Sequence, residues 1–111
     1  MGLEKVEAIS DCEEMVMRVI WESNIELDSV SIQSIFNKKF DRNWKIQTVI
    51  TVLKRLQKKG WLDIQGDRRC YRYMPTISYE DYRKEKLRGV LELFKDSPQE
   101  LIQIIDGWFM R

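Results

Sequence analysis

The fold of this chain is decided by residues 43–73, which read NWKIQTVITVLKRLQKKGWLDIQGDRRCYRY. The first half of this segment repeats apolar residues with the period of an α-helix. Gly60 then supplies a stop, because glycine readily adopts the left-handed conformation that ends many helices. Two short apolar runs flank the turn-forming residues 66–69, a pattern that indicates a β-hairpin. The segment therefore predicts a helix, a stop and a hairpin in direct succession.

The two sides of the predicted helix differ in chemistry. One side is apolar and consists of Ile46, Val49, Ile50, Val52, Leu53 and Leu56. The other side is polar and consists of Gln47, Thr48, Thr51, Lys54, Arg55 and Lys58. A solvated helix face usually mixes Glu with Lys, whereas residues 44–62 contain no Asp or Glu. An acid-free face followed by a basic hairpin predicts the recognition helix and wing of a winged helix-turn-helix protein.

Side chains of these types suit contact with DNA. Arg and Lys can donate to guanine, Gln can bridge adenine, and a Thr methyl group can pack on thymine. We therefore expect four residues to read bases, namely Gln47, Thr48, Thr51 and Arg55. We expect cations of the helix and the wing to hold phosphates, namely Lys45, Lys54, Lys58, Lys59, Arg68, Arg69 and Arg72.

The charge distribution agrees with a nucleic-acid partner, although the net charge of the 111 residues is only +1. Residues 38–72 hold 11 Lys and Arg against 3 Asp and Glu, a local charge of +8, and the remainder carries −7. Affinity for a phosphate backbone depends on the local patch, because counterions are released where the cations lie. The basic middle of the chain is therefore the predicted contact region.

Other functional classes find little support in the sequence. The chain has no histidine, and its two cysteines, Cys12 and Cys70, belong to no CxxC pair, so we expect neither a metal site nor another cofactor. We expect Cys12 to pack in a helix core and Cys70 in a strand. Without a Gly-rich phosphate loop or a nucleophile elbow, the chain is not expected to be an enzyme. The lack of an 18-residue apolar run and of a signal-peptide pattern predicts a cytoplasmic protein with no membrane contact.

Capping signals predict the first two helices and the start of the third. Residues 10–13 form a capping box that should open the first helix. Its buried stripe should consist of Cys12, Met15, Val16, Val19 and Ile20. Ser29 or Ser31 should cap the second helix, and three of its side chains should face inward, namely Ile32, Ile35 and Phe36. Asn43 is the predicted cap of the third helix.

The sequence after the hairpin predicts a helical tail. A capping pattern at residues 78–81 opens a fourth helix, and Ser97, Pro98 and Glu100 open a fifth. We place a DNA-binding domain at residues 1–76 and a helical dimerisation region at residues 77–111. The tail either folds back on its own domain or forms an apolar patch that needs a partner. We favour a homodimer whose interface consists of Leu91, Phe94, Leu101, Ile104, Ile105, Trp108 and Phe109.

Local motifs add a family resemblance. In the first helix they are residues 9–17 with Trp21 and Glu22. In the third they are Trp44, Thr48, Thr51, residues 55–56 and residues 58–60, and after it residues 71–73, Pro75 and Tyr82. Over about residues 9–86, the chain resembles the BlaI/MecI/CopY family of bacterial penicillinase-type repressors. The resemblance implies a homodimeric repressor that binds an inverted-repeat DNA operator. It also implies that Thr48, Thr51 and Arg55 enter the major groove, with Gln47 at the leading end of the helix.

The resemblance further implies a regulatory sensor or protease, because family members are commonly paired with a membrane sensor whose signal leads to proteolysis of the repressor tail. This chain departs from two branches of the family. The copper-responsive branch carries paired Cys-x-Cys motifs near the C-terminus, and here no cysteine follows Cys70. The β-lactam branch is cut at an Asn-Phe bond, and here no asparagine follows Asn43. The inducing signal therefore stays open.

An alternative to DNA binding is a protein-interaction adaptor, since fold does not dictate function. In that case the basic face would meet an acidic protein partner. An adaptor would retain no duplex at about 0.15 M salt, where a specific DNA reader binds at roughly nanomolar levels. The residues favour the DNA reader, and repression is implied by the resemblance alone.

Overall fold

A computed structural model describes residues 6–110, which form five helices and one two-stranded antiparallel sheet. The helices are α1 (Asp11–Glu22), α2 (Ser29–Phe40), α3 (Ile46–Lys58), α4 (Tyr79–Leu93) and α5 (Pro98–Phe109), and the strands are β1 (Leu62–Gln65) and β2 (Arg72–Pro75). The chain divides into two compact units, the first ending at Tyr79 and the second beginning at Glu80. None of the helices in the described residues has the length and apolarity that crossing a membrane requires. The predicted fold class, mainly α with a small hairpin, is confirmed.

The first helix begins at the predicted capping box. The Ser10 N–H donates to Glu13 Oε1 at 2.8 Å, and Ser10 Oγ accepts the Glu13 N–H at 3.2 Å. The predicted buried stripe is partly wrong, because Cys12 is exposed while Met17 is completely buried. The helix is rotated so that its innermost line follows the spacing i, i+3, i+4, i+7 from Glu13. That line consists of Glu13, Val16, Met17 and Ile20, and Val19 is buried beside it, so the predictions for Val16, Val19 and Ile20 are confirmed.

The second helix is capped by Asp28 rather than by either predicted serine. The Asp28 carboxylate accepts the backbone N–H of Ser31 at 2.8 Å. This hydrogen bond favours the charged carboxylate and lowers the pKa of Asp28 below its ordinary value. Ile32 and Phe36 are fully buried as predicted, but Ile35 is 40% exposed. The prediction for Ile35 is wrong. Ile35 points about 100° away from its neighbour Phe36, which faces the core, so the Ile35 side chain lies at the edge of the buried side of α2.

The turn between α2 and α3 is held by amide side chains of α2. Asn37 Nδ2 donates to the Trp44 carbonyl at 3.1 Å, and Asn37 Oδ1 accepts the Trp44 N–H at 2.9 Å. Gln33 Nε2 donates to the same carbonyl at 3.0 Å. The N-cap residue of α3 is Lys45, and no side chain caps the helix. The prediction that Asn43 caps α3 is therefore wrong, since side chains from the preceding helix fix its entry instead.

The third helix packs with its predicted apolar side inward. Val49, Val52, Leu53 and Leu56 are buried, and Ile46 and Ile50 are half-buried. At its end, the Trp61 N–H donates to the Leu56 carbonyl at 2.9 Å and the Gly60 N–H to the Gln57 carbonyl at 3.0 Å. This pair of bonds is a Schellman motif. Gly60 has φ +93°, a conformation that costs little for glycine alone, so the predicted stop is confirmed.

The hairpin follows α3 at once. Its strands pair antiparallel, with Ile64 opposite Tyr73. The Tyr73 N–H also donates to the Leu27 carbonyl at 2.9 Å, which ties β2, near the turn end of the hairpin, to the segment before α2. Cys70 is exposed and lies in the connection at residues 66–71, because β2 begins only at Arg72. The prediction that Cys70 packs in a strand is wrong.

The second unit buries little apolar surface. Tyr82 is the buried residue of α4, and none of the 12 residues of α5 is buried. Leu93 is 82% exposed, and Trp108 and Phe109 are 70% and 77% exposed. Ser97 and Pro98 open α5 as predicted, but no side-chain cap bond forms there. Ser97 is therefore the N-cap residue by position, but the side-chain capping that its sequence pattern predicted does not form.

Candidate nucleic-acid interface

The outward side of α3 brings the predicted base-reading residues together. All four are exposed, while the opposite side of the same helix is buried. They line one shallow depression of about 270 Å³ together with Val52. Their spacing of i, i+1, i+4 and i+8 places them along one side of the helix over two turns. The members of this α3 surface are Gln47, Thr48, Thr51 and Arg55.

The Thr51 hydroxyl in the α3 surface already forms a hydrogen bond within the helix. It donates to the Gln47 carbonyl at 2.8 Å, a hydrogen bond to the i−4 residue that is common for threonine in helices. The hydroxyl proton is therefore engaged within the helix. The oxygen can still accept, and the methyl group is available for apolar contact. Thymine presents a methyl group in the major groove, so Thr51 is suited to reading thymine rather than to donating a hydrogen bond.

A groove of about 600 Å³ runs between α3 and the wing. Lys54 and Gln57 line it from the helix, and Arg68, Arg69 and Tyr71 line it from the wing. The groove is also lined by Asp28 at the start of α2, but the three cations outnumber this one acid, so the local potential favours a phosphate group. Sequence reasoning missed Gln57, although its position three residues after Lys54 signals a shared helix side. It also missed Tyr71, because the pattern of a short hairpin does not show which residues face the neighbouring helix.

Local bonds fix the wing turn that carries Arg68 and Arg69. Gly66 has φ +95°, and a Cβ atom added there would lie 2.4 Å from the Cys70 carbonyl oxygen. Asp67 Oδ1 accepts the Arg69 N–H at 2.9 Å. The sharp turn therefore needs glycine at position 66 and holds the two arginines on exposed positions.

The remaining predicted phosphate contacts lie at the ends of the reading elements. Lys45 is the N-cap residue of α3, and Lys58 is its last residue; both are exposed. The first turn of α3 contains no acid and has no side-chain cap, so its N–H groups and positive dipole end can attract a phosphate. Arg72 is exposed at the start of β2, and its charge contributes to the lowered pKa of Asp28 after the hydrogen bonds from Ser31.

Lys59 differs from the other predicted phosphate contacts, because its side chain forms an ion pair inside the first unit. Its Nζ lies 2.7 Å from Oε1 of Glu13, and only 26% of the lysine side chain and 4% of the glutamate side chain are exposed. The ammonium group is thus committed to a buried carboxylate of α1. A phosphate contact by Lys59 stays a prediction, and this pairing with Glu13 disfavours it.

Comparisons with known proteins agree with this arrangement. A family model described as penicillinase repressor matches residues 9–105. The penicillinase repressor of Bacillus licheniformis is 36% identical over 93 residues, which are 83% of this chain and 70% of that protein. The methicillin resistance regulatory protein MecI of Mammaliicoccus sciuri is 29% identical over 79 residues, which are 71% of this chain and 62% of MecI.

A solved structure extends the likeness to three dimensions. It is the solution structure of the monomeric form of Bacillus licheniformis BlaI in complex with the blaP half-operator. The match has a TM-score of 0.56 at 35% sequence identity and covers 70% of this chain and 92% of that chain. The winged helix-turn-helix prediction for the present chain is confirmed by this similarity.

Proposed function

The chain belongs to the penicillinase repressor family, and we propose that it acts as a homodimer that binds an inverted-repeat operator through α3 and the wing. As a member of this family, it is a DNA-binding transcriptional repressor rather than an enzyme. The half-operator bound by BlaI supports an operator as the ligand. The observation on this chain that carries the proposal is the exposed side of α3, which is free of acidic residues.

In the proposed complex, α3 lies in the major groove, which at about 12 Å is wide enough to admit a helix. Arg55 then donates to guanine, Gln47 bridges adenine, and the Thr51 methyl group packs on thymine. Phosphates flank the bases, so the groove between α3 and the wing receives one strand of the backbone. Lys54, Arg68 and Arg69 neutralise it there. The ends of α3 add Lys45 and Lys58.

The second unit supports a dimer. The BlaI structure pairs a monomeric form with half an operator, so a complete operator would offer two such halves to a two-fold symmetric dimer. Of the predicted interface residues, Phe94, Leu101 and Ile104 are half-buried in one chain. The others are exposed, namely Leu91, Ile105, Trp108 and Phe109. A second copy that contacts this surface would cover apolar area that α5 leaves in water.

Selection of duplexes from a random-sequence library by the purified chain tests the proposal. We expect an enriched inverted repeat, bound at roughly nanomolar levels near 0.15 M salt, as is typical of specific readers. Enrichment of a single unrepeated half-site would contradict the dimer. Retention of no duplex in that salt would favour an adaptor instead.

A pair of variants separates base reading from phosphate binding. Arg55→Ala should cost about 1–3 kcal/mol on the selected duplex and relax its specificity, as expected for a lost base contact. Lys58→Ala is the matched control, and it should weaken all sequences alike and lower the salt slope by about one. Identical behaviour of the two variants on selected and scrambled DNA would show that the assigned roles are wrong.

A further inference from the structure

The first unit contains a polar network behind α3 that the DNA contacts do not use. We call Glu7, Glu13, Lys59 and Trp61 the α1–α3 link. Lys59 Nζ pairs with Glu13 Oε1 at 2.7 Å. The Glu7 N–H donates to the Lys59 carbonyl at 3.1 Å, and the Trp61 Nε1–H donates to the Glu7 carbonyl at 2.6 Å. Three contacts thus join Glu7 and Glu13 to Lys59 and Trp61, which follow α3.

The carboxylate of this link is built into the fold. Glu13 is 3% exposed, and its Oε1 also accepts the Ser10 N–H at 2.8 Å. Burial raises the pKa of Glu13, but the hydrogen bonds from Lys59 and Ser10 outweigh it, so the net pKa is lowered. The group therefore stays charged in its buried position. Removing one partner of such a pair leaves the other charge unpaired, which is unfavourable.

We propose that Glu13 and Lys59 are positioning residues for operator reading, because they fix the end of α3 against the start of α1. The inference rests on the proposed function. The Lys59 N–H donates to the Arg55 carbonyl at 2.9 Å, so a displacement of Lys59 passes directly to a residue of the α3 surface. Hydrogen bonds to bases weaken steeply with distance and angle, whereas phosphate contacts carry no sequence information. Loosening the link should therefore lower specificity and leave general DNA affinity unchanged.

Binding measurements on the full chain test the role of Lys59. Lys59→Met is compared with wild type and with Lys58→Met, which removes the charge of the exposed neighbour. The probes are the duplex that wild-type protein selects from a random-sequence library and a scrambled duplex of the same composition. Fluorescence anisotropy over a salt series gives both dissociation constants. Thermal melting by circular dichroism sets a temperature at which every variant is folded.

We expect Lys59→Met to lower the ratio of selected to scrambled affinity by about three- to thirtyfold, the range seen for residues that act without touching the ligand. The salt slope should stay unchanged. Glu13→Gln should lower the ratio in the same way, and the double variant should be no worse than either single variant. Lys59→Arg should restore the ratio, since a guanidinium also pairs with a carboxylate.

Three results would overturn the inference. If Lys59→Met weakens both duplexes alike and lowers the salt slope by about one, as expected of Lys58→Met, then Lys59 is a phosphate contact. If it lowers only the melting temperature, the link has a structural role alone. If wild-type protein selects no duplex, the proposed function is wrong and the inference falls with it.

Discussion

Helices α3 and α5 have 13 and 12 residues and similar amphipathic patterns, but α3 buries four side chains and α5 buries none. The apolar side of α3 packs inside the first unit, where Phe36, Ile32 and Leu53 are completely buried. The apolar side of α5 lies in a unit that offers it no such core. An amphipathic pattern thus identifies the apolar side of a helix. Whether that side is buried depends on the rest of the chain or on a second copy.

Leu53→Ala should destabilise the first unit by about 2–5 kcal/mol, because it leaves a cavity at a completely buried position. Chemical denaturation followed by circular dichroism measures the change. Ile25→Ala in the same unit is the control, since Ile25 is 74% exposed and surface changes usually stay within about 0.5 kcal/mol. Equal effects of the two substitutions would contradict the described core.

Trp108→Ala should weaken the proposed dimer by about 2–4 kcal/mol, since exposed tryptophans that become buried are frequent hot spots of interfaces. Sedimentation equilibrium measures the association constant. The melting of the first unit should not change, because Trp108 belongs to the second unit. A wild-type chain that stays monomeric at high concentration would refute the interface.

Glu13→Gln should cost the first unit about 1–3 kcal/mol at neutral pH, because the amide offers only a neutral hydrogen bond and leaves the charge of Lys59 without its carboxylate. The lowered pKa of Glu13 means that the unfolded chain binds the proton more readily. The stabilisation that the Glu13 carboxylate gives the folded protein is therefore complete above the usual glutamate pKa of about 4.3. It is lost as the pH falls through the lower pKa that Glu13 has in the folded state. Denaturation curves from pH 7 to pH 3 should show the two proteins converging in acid. Parallel curves would exclude this linkage.

Thr51→Ser and Thr51→Val separate the two parts of one side chain in the α3 surface. Serine keeps the hydroxyl and removes the methyl group, and it should cost about 0.8 kcal/mol on a selected duplex that has thymine opposite Thr51. Valine keeps the methyl group and should bind nearly as well as threonine. The reverse order would show that Thr51 reads through its hydroxyl.

The same substitution, glycine to alanine, should act in opposite directions in the two units. At Gly89 in α4, an added Cβ meets nothing within 4 Å, so Gly89→Ala should stabilise the helix by about 0.5–1 kcal/mol. At Gly66 the positive φ and the Cys70 carbonyl oppose a side chain, so Gly66→Ala should destabilise the wing. Thermal melting measures both. If Gly89→Ala instead weakens association, α4 approaches the second copy closely at that residue.

Local physics explains what the sequence predicted well. The helical period placed the two sides of α3 correctly, and the left-handed Gly60 follows from its lack of a Cβ atom. The grouping of Gln47, Thr48, Thr51 and Arg55 also needed only the geometry of one helix. These features depend on neighbours within two helical turns, which a single sequence contains.

The errors and omissions involve partners that are distant in the chain or choices between adjacent residues. Lys59 pairs with Glu13 across 46 positions, and no local pattern indicates such a pair. Asn37 holds Trp44 from the preceding helix, so the cap expected at Asn43 was not needed. Cys12 fits the period of α1 but lies beside the innermost line, because the packing of the whole unit sets the rotation of a helix.

Glu7 donates from its backbone to Lys59 and accepts from Trp61, so the stretch ahead of α1 supports the end of α3. A purification tag or fusion partner joined just before Glu7 would disturb the two backbone hydrogen bonds of Glu7, which hold the end of α3. A tag attached in this way should lower the affinity for the selected duplex relative to a scrambled one, while the affinity for scrambled DNA is retained. Removal of the tag should restore the ratio of the two affinities.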